Sequence, residues 1–427
     1  MLPHGIERSE NFEAARITTR IANLLSDSWG YLDAAPKVVA HPERLALFLA
    51  GAEQEITPVN LEVWPSLTCT ARCHSCPYIR NGARKIADKD SESAYVMDLE
   101  LWQKLAAEFR EAGGLSVTFT GGGEPTVNKE IATFAAIARK NGLDWGLYTN
   151  GASLTPQLID NLLEHKPTFI RVSVNSGSAA AHHALYRLGE TAYWSVQELV
   201  AVLLRRAAGV CTVGLGYIMS TAVRSELIGI REYLVGIERK AGRPVEYIAI
   251  RPALKYYDRH GNPVGAQPQA DTFGEVPALC REILADACGS IGTRLQINDA
   301  AFAAVAGARE PDTCYATQWA ASSTNTGDLY LLSEANGGTT EELRRLCYGR
   351  VSNGASFAEL WRGPDRRQLT QEFSDGVRRA PIWHKLADLD LTLKAIRRTC
   401  AVLEPSLARE VSILLATNKK PAHWKFI

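Results

Sequence analysis

The chain has 427 residues, 46% of them hydrophobic and 22% charged, and its 47 basic residues balance 47 acidic ones. That length predicts one large domain with a smaller appendage, and zero net charge excludes the electrostatic footprint of a protein working on nucleic acid or an anionic membrane. Nothing approaches the roughly 18 uninterrupted apolar residues of a membrane span, and Met1 to Arg20 has no basic stretch leading into an apolar run, so the expectation is a cytoplasmic protein.

Residues 1–60 read as an N-terminal helical extension. Ile17, Ile21, Leu24 and Leu25 share one face of a helix over 12–26, and Pro36, Pro42 and Pro58 punctuate the stretch between that helix and Leu61. From Leu61 short apolar or β-branched runs alternate with helical patterns. Strands are predicted at 61–67, 116–120, 145–149, 169–174, 212–219 and 246–250. A helix begins at Asp98, a fitting N-cap, carries Leu101, Leu105 and Phe109 on one face, and stops at Gly113-Gly114. Further helices are expected over 156–164 and 195–208. Six strands alternating with helices predict a parallel sheet with right-handed crossovers. The fold class is therefore α/β, with a partial (β/α)6 TIM-like barrel over 61–260. In such a barrel the loops after the strand C-termini form the active face. Beyond Pro252 the pattern becomes a smaller α+β C-terminal domain over 261–427. A helix at 273–287, a strand at 294–297, two short strands about the turn Asn325-Thr326-Gly327, and helices from 382 and over 403–416 are expected there.

Just past the first strand stands Cys69-Thr-Ala-Arg-Cys73-His-Ser-Cys76. Reduced thiols, not a disulfide framework, are expected of a cytoplasmic protein. A cubane iron–sulfur cluster needs four external ligands, usually cysteine thiolates. Three on one tight loop leave one iron open to a small molecule. A structural zinc site is the competing reading, but it wants four ligands, commonly two short-spaced pairs. His74, next to Cys73, would have to fold back sharply to help.

The Cys-x3-Cys-x2-Cys loop after a first barrel strand resembles the signature of the radical S-adenosylmethionine (SAM) superfamily. The second strand strengthens the likeness, because Val117-Thr-Phe-Thr-Gly121-Gly122-Gly123-Glu124-Pro125 resembles the family's Gly-Gly-Glu-Pro motif. The resemblance implies one [4Fe-4S] cluster on Cys69, Cys73 and Cys76, with SAM chelating the fourth iron. It implies that Gly122, Gly123 and Glu124 border SAM's amino group, with glycine allowing close backbone approach. It also implies polar contacts to SAM from the later strand ends, at Asn150, Ser173 and Asn175. Asn150-Gly151 equally suits a tight turn. Many relatives carry an aromatic residue just before the third cysteine; here Ser75 stands there, and Tyr78 is the candidate for adenine. Arg251, ending the sixth strand, is a candidate for SAM's carboxylate or the substrate, since guanidinium binds both oxygens together. A rim ion pair is the plainer reading. His182-His183 reads as an ordinary helix feature.

The C-terminal third resembles the family's auxiliary-cluster (SPASM/twitch-type) domain in degenerate form. Cys314 precedes the hairpin and Cys347 comes after it, but Leu332 stands about where a second cysteine belongs. Buried free thiols are favoured, with an auxiliary cluster from Cys280, Cys288, Cys314 and Cys347 the alternative. The resemblance implies reductive cleavage of SAM to a 5′-deoxyadenosyl radical, with electrons from a flavodoxin- or ferredoxin-type donor or a partner reductase. Within the family the arrangement is most similar to enzymes tailoring aminoglycosides, notably radical diol dehydratases. A small aminosugar substrate and a redox-neutral change such as dehydration in antibiotic biosynthesis are expected, with peptide side-chain maturation as the alternative. Tyr217, Lys255 and Asp258 come at or after strand ends on the active face and are the candidate acid–base residues.

Overall fold

Eight parallel strands form the body of one ten-stranded sheet, and the order of those strands decides where the cysteine loop lies. In the computed structural model, residues 6–25, 34–73, 76, 95–219, 223–253, 256–257, 263–264, 274–299, 301–303, 314–333, 346–351, 354–374, 387–417 and 420–427 are described. The strands β1 (Asn60–Val63), β2 (Ser116–Phe119), β3 (Asp144–Thr149), β4 (Phe169–Ser173), β5 (Thr212–Met219) and β6 (Tyr247–Pro252) are consecutive in both sequence and space. Helices α4 (Leu99–Glu111), α5 (Ile131–Lys140), α6 (Pro156–Glu164), α8 (Ala192–Arg206) and α9 (Arg224–Ala241) connect them. A separate short hairpin pairs β7 (Tyr256–Tyr257) with β8 (Pro263–Val264). This is the α/β barrel expected from the alternation, with strand limits within a few residues of prediction. Asp98 caps α4 as its residue type requires, accepting from the Glu100 and Leu101 amides.

The sheet runs past residue 261, the expected boundary of the C-terminal domain. β9 (Arg294–Ile297) lies parallel to β6 on one side, and β10 (Ala320–Ser323) lies parallel to β1 on the other. β11 (Asp328–Tyr330) and β12 (Cys347–Arg350) continue that edge as antiparallel strands. The N-terminal helices also join the C-terminal ones. α1 (Ile6–Leu25) and α3 (Pro42–Leu49) share an apolar cluster with α13 (Ala387–Thr399) and α14 (Pro405–Ala416), built from Ile17, Ile21, Phe48, Leu393, Ile396 and Val411.

Alternation along each strand sorts the side chains. Val63, Val117, Phe119, Leu147, Val172, Leu215 and Ile250 are buried against the helices, where Trp102 stacks on Phe134 and meets Phe119 edge-on. The other parity points into the barrel and carries most of the strands' polar side chains, among them Asn60, Glu62, Ser116, Thr118, Tyr148, Arg171 and Gln296. The chain's last residues close the N-terminal end of that interior. Ser116 Oγ bonds the Lys425 carbonyl, Lys425 Nζ pairs with Asp144 at 2.6 Å, and Lys37 Nζ donates to the Phe426 carbonyl at 2.7 Å. The Phe426 ring packs edge-on to Phe169, and burial holds His423 beside them at a pKa of about 3, hence neutral. Among the described residues no helix is long and apolar enough to cross a membrane.

If the tail is a structural floor, Phe426→Ala should lower stability by about 3 kcal/mol, as for other buried phenylalanines. Phe12→Ala, at a position 75% exposed, should leave it unchanged. Thermal melting of both variants checks the pair.

Candidate active site

The loop after β1 is held down by the loop after β2, backbone to backbone. Gly123 N–H donates to the Ser66 carbonyl at 3.0 Å, and Glu124 N–H donates to the Thr68 carbonyl at 2.8 Å. A Cβ on Gly123 would stand 2.2 Å from Thr68 O, and one on Gly122 would stand 2.8 Å from the Leu67 and Trp64 side chains. Glycine is needed at Gly123 because no side chain fits between the two loops. The glycine-rich segment was expected to admit a ligand; the close approach found here is to the base of the cysteine loop.

Glu124 ties the second loop to the third strand end. Its Oε1 accepts from Thr126 N (3.1 Å), Thr126 Oγ1 (2.6 Å) and Thr149 Oγ1 (2.6 Å), while Oε2 accepts from Asn150 N (2.7 Å). The carboxylate is 3% exposed, and its described bonds are all to the scaffold. Asn150 is thereby placed over the first cysteine, with Nδ2 3.7 Å from Cys69 Sγ and 3.3 Å from Thr70 Oγ1.

The three-thiol loop fits an iron–sulfur cluster. Cys69 is buried and its sulfur accepts from Ala71 N–H at 3.3 Å, a bond that favours the thiolate a cluster needs. Cys76 N–H donates to the Cys73 carbonyl at 3.1 Å, turning the second and third ligands toward each other. Among the described residues no three His, Cys, Asp or Glu side chains converge closely enough for one metal ion; a cubane instead takes each thiolate on a different iron, which spreads the sulfurs.

The fourth strand end brings a residue that the sequence did not single out. Helix α7 (Ala179–Tyr186) comes after β4, capped by Ser178, and ends with Tyr186 against Cys69 and Ala71. The Tyr186 carbonyl accepts from Arg72 N–H at 2.8 Å. Its phenol donates to the Ser173 carbonyl at 2.7 Å and accepts from Asn175 Nδ2 at 2.8 Å. Burial, then the nearby Cys73, pushes this phenol well above its usual pKa, so it stays a donor. Asn175 takes the left-handed conformation (φ 54°) and accepts from Ile218 N–H at 2.8 Å, joining the fourth and fifth strand ends. Glu226 of α9 accepts from Gly177 N–H (2.7 Å) and Ser178 Oγ (2.8 Å), fixing the same loop from behind. Ile218 is 44% exposed on the inward parity of β5, an apolar surface facing the open end.

Cys69, Gly122, Gly123, Glu124, Asn150, Ser173 and Asn175 thus gather where the C-terminal ends of β1 to β4 meet. Arg251 is half-buried on β6 in register with Ile218. Tyr217 does not join them. It shares parity with Val213 and Leu215, is 1% exposed in the sheet–helix core beside Tyr193 and Tyr233, and its hydroxyl has no hydrogen-bond partner among the described residues. Burial pushes its phenol well above the usual range, so the expected acid–base role is corrected: the side chain faces away from the barrel interior. Tyr78, Lys255 and Asp258 lie outside the described residues.

Cys280 and Cys288 share one helix, Val276–Ile291, and the main apolar core. Cys280 Sγ lies 3.8 Å from Met219 Sδ, Cys314 adjoins Asp390, and Cys347 Sγ donates to the Gly349 carbonyl at 3.5 Å. Burial pushes the Cys280 thiol to about 12 and Cys288 to about 11. His182 is buried between the Tyr186 and Tyr193 rings, and burial, then His183, lowers it to about 4.

Comparison with known proteins finds a family model that matches the part of the chain holding this site. Residues 65–226 match the model of the Radical SAM superfamily. A dTDP-4-amino-4,6-dideoxy-D-glucose ammonia-lyase of Streptomyces venezuelae is 24% identical over 236 residues, 52% of this chain and 44% of its own. PqqA peptide cyclase of Xanthomonas campestris pv. campestris is 32% identical over 124 residues, 28% of this chain and 31% of its own. The chain therefore spans less than half the length of these curated relatives. SuiB of Streptococcus suis, solved bound to precursor peptide SuiA, superimposes with a TM-score of 0.54 at 12% identity, covering 77% of this chain and 68% of SuiB. The protein anSMEcpe, solved with bound AdoMet, gives 0.54 at 15% identity, covering 80% of this chain and 96% of its own. These two likenesses show the fold.

Gly123→Ala should prevent the cysteine loop from docking. After anaerobic reconstitution its iron content should fall well below half that of the parent, whereas Gly189→Ala, in open space, should retain full iron. Iron and sulfide analysis checks both.

Proposed function

We propose that this chain, which carries a radical SAM domain at residues 65–226, is a radical SAM enzyme acting on a small polar substrate, an aminosugar or aminoglycoside intermediate. The observation that carries the reading is the three-cysteine loop docked through Gly123 onto the Glu124-pinned loop at the strand C-termini. When bound, the cluster and SAM supply a 5′-deoxyadenosyl radical by one-electron reduction of SAM.

The chain's own residues hold and shield that chemistry. Cys69, Cys73 and Cys76 bind the cluster and leave one iron for SAM. The protonated Tyr186 phenol holds the Ser173 carbonyl and Asn175 at the edge of the SAM site. Ile218 supplies an apolar surface for adenine, and Tyr78 is the other residue proposed to contact it. The tail-sealed floor leaves the strand C-terminal end as the way in, which keeps stray hydrogen donors from the target C–H. Lys255 and Asp258 are the proposed acid–base pair, and Arg251 binds SAM's carboxylate or the substrate. A flavodoxin- or ferredoxin-type protein, or a partner reductase, delivers the electron.

The aminosugar reading rests on the ammonia-lyase, whose match covers the larger share of this chain. A redox-neutral elimination such as dehydration is the reaction proposed, in keeping with the ammonia-lyase. The second reading, peptide side-chain maturation, is favoured by the match to PqqA peptide cyclase.

Reconstituted protein with dithionite and SAM should release 5′-deoxyadenosine, and the variant with Cys69, Cys73 and Cys76 all changed to Ala should release none. With deuterated aminosugars, deuterium should appear in 5′-deoxyadenosine; transfer from a peptide alone would replace the first reading by the second. Tyr186→Phe, which removes two hydrogen bonds at the SAM edge, should weaken SAM binding roughly tenfold without loss of iron.

A further inference from the structure

Arg171 is a guanidinium inside the barrel with no counter-ion among the described residues. It stands on β4 with the parity of Ser173, two residues below it, and is 2% exposed. Its guanidinium carbon lies 3.7 Å from the Tyr148 ring centroid. Among the described residues it makes no ion pair and no hydrogen bond, and its Nε is a buried donor without an acceptor. Arginine cannot shed its proton to relieve such burial, and an unpaired buried charge is strongly unfavourable. A cation–π contact offsets part of that, not all.

The neighbouring strands set small residues in the row above this group. In register across the sheet, Ser173 is succeeded by Gly216, Ala249 and Gln296. Gly216 and Ala249 project almost nothing inward, and even a Cβ on Gly216 would come within 3.5 Å of Arg171 Nε. At the far end of the row Gln296 is 8% exposed, with Oε1 an acceptor lacking a described donor. Beneath, Tyr247 covers Gly214, and Phe169 packs on His423 and Phe426. The Arg171 stem thus lies over Gly216, in the row that ends at the Gln296 amide, with the Phe169–His423–Phe426 aromatic layer beneath.

We propose that Arg171 anchors an anionic group of the substrate, a carboxylate or phosphate, while Gln296 accepts from a substrate hydroxyl or amine. The proposal rests on the radical SAM reading and narrows its substrate class to an anionic, donor-bearing small molecule. Arg171 stands a row below the strand-end residues that gather around the cysteine loop, on the side of the tail-sealed floor. The anion it takes therefore belongs to the deepest part of the substrate, not to SAM.

The test melts reconstituted protein in inorganic phosphate and in chloride of equal ionic strength, a readout independent of radical chemistry. Phosphate should raise the melting temperature of the parent. Arg171→Met should melt no lower than the parent in chloride, since it removes a buried unpaired charge, and should lose the phosphate response. Arg171→Lys should keep part of that response. SAM affinity of Arg171→Met should stay within about twofold of the parent. No phosphate response in the parent, an undiminished response in Arg171→Met, or a melting temperature far below the parent for that variant would each overturn the proposal. A loss of SAM affinity of roughly tenfold or more would also overturn it by assigning the guanidinium to SAM's carboxylate.

Discussion

Two loops at neighbouring strand ends touch through their backbones, and the rest of the site is arranged around that contact. Thr68 O would lie 2.2 Å from a Cβ on Gly123, so a single missing side chain allows the cysteine loop to settle. The glycine sets the distance, and Glu124 sets the direction. By taking bonds from Thr126, Thr149 and Asn150, its carboxylate locks the second loop to the third strand end, and Asn150 then meets the first cysteine. Tyr186 closes the arrangement from the fourth strand, bonding the cysteine loop through its carbonyl and the strand end through its phenol.

The barrel keeps opposite chemistry on its two faces. Outside, apolar side chains of one parity bury themselves against helices and supply the stability. Inside, polar side chains remain, Arg171 among them, because that parity faces a chamber rather than a core. The tail residues Lys425 and Phe426 seal one end of this chamber with contacts to Ser116, Asp144 and Phe169. A floor at one end and the cysteine loop at the other give the interior a direction.

Much of this was legible in the sequence because it is local. The two motifs, the strand runs and the Asp98 cap each depend on residues a few positions apart. The sheet's extension by β9 and β10 was not legible, since those pairings join distant segments that carry no mutual signature. Nor was the tail, whose bond to Ser116 spans 309 residues. Tyr217 misled for a local reason. In the run Gly214-Leu-Gly-Tyr-Ile-Met219 the inward positions are mostly glycine, so alternation is hidden, and the tyrosine reads as the feature of the strand end. Tyr186 was passed over because Ala179–Tyr186 is alanine-rich and shows no amphipathic stripe that would place its last residue at the site.

The most direct test is the electron paramagnetic resonance spectrum of the reconstituted, dithionite-reduced protein with and without SAM. A cubane held by Cys69, Cys73 and Cys76 alone has one iron free for SAM, so the reduced-cluster signal should change shape when SAM is added. A reduced cluster whose spectrum is indifferent to SAM would contradict the account, because every iron would then already have its ligand.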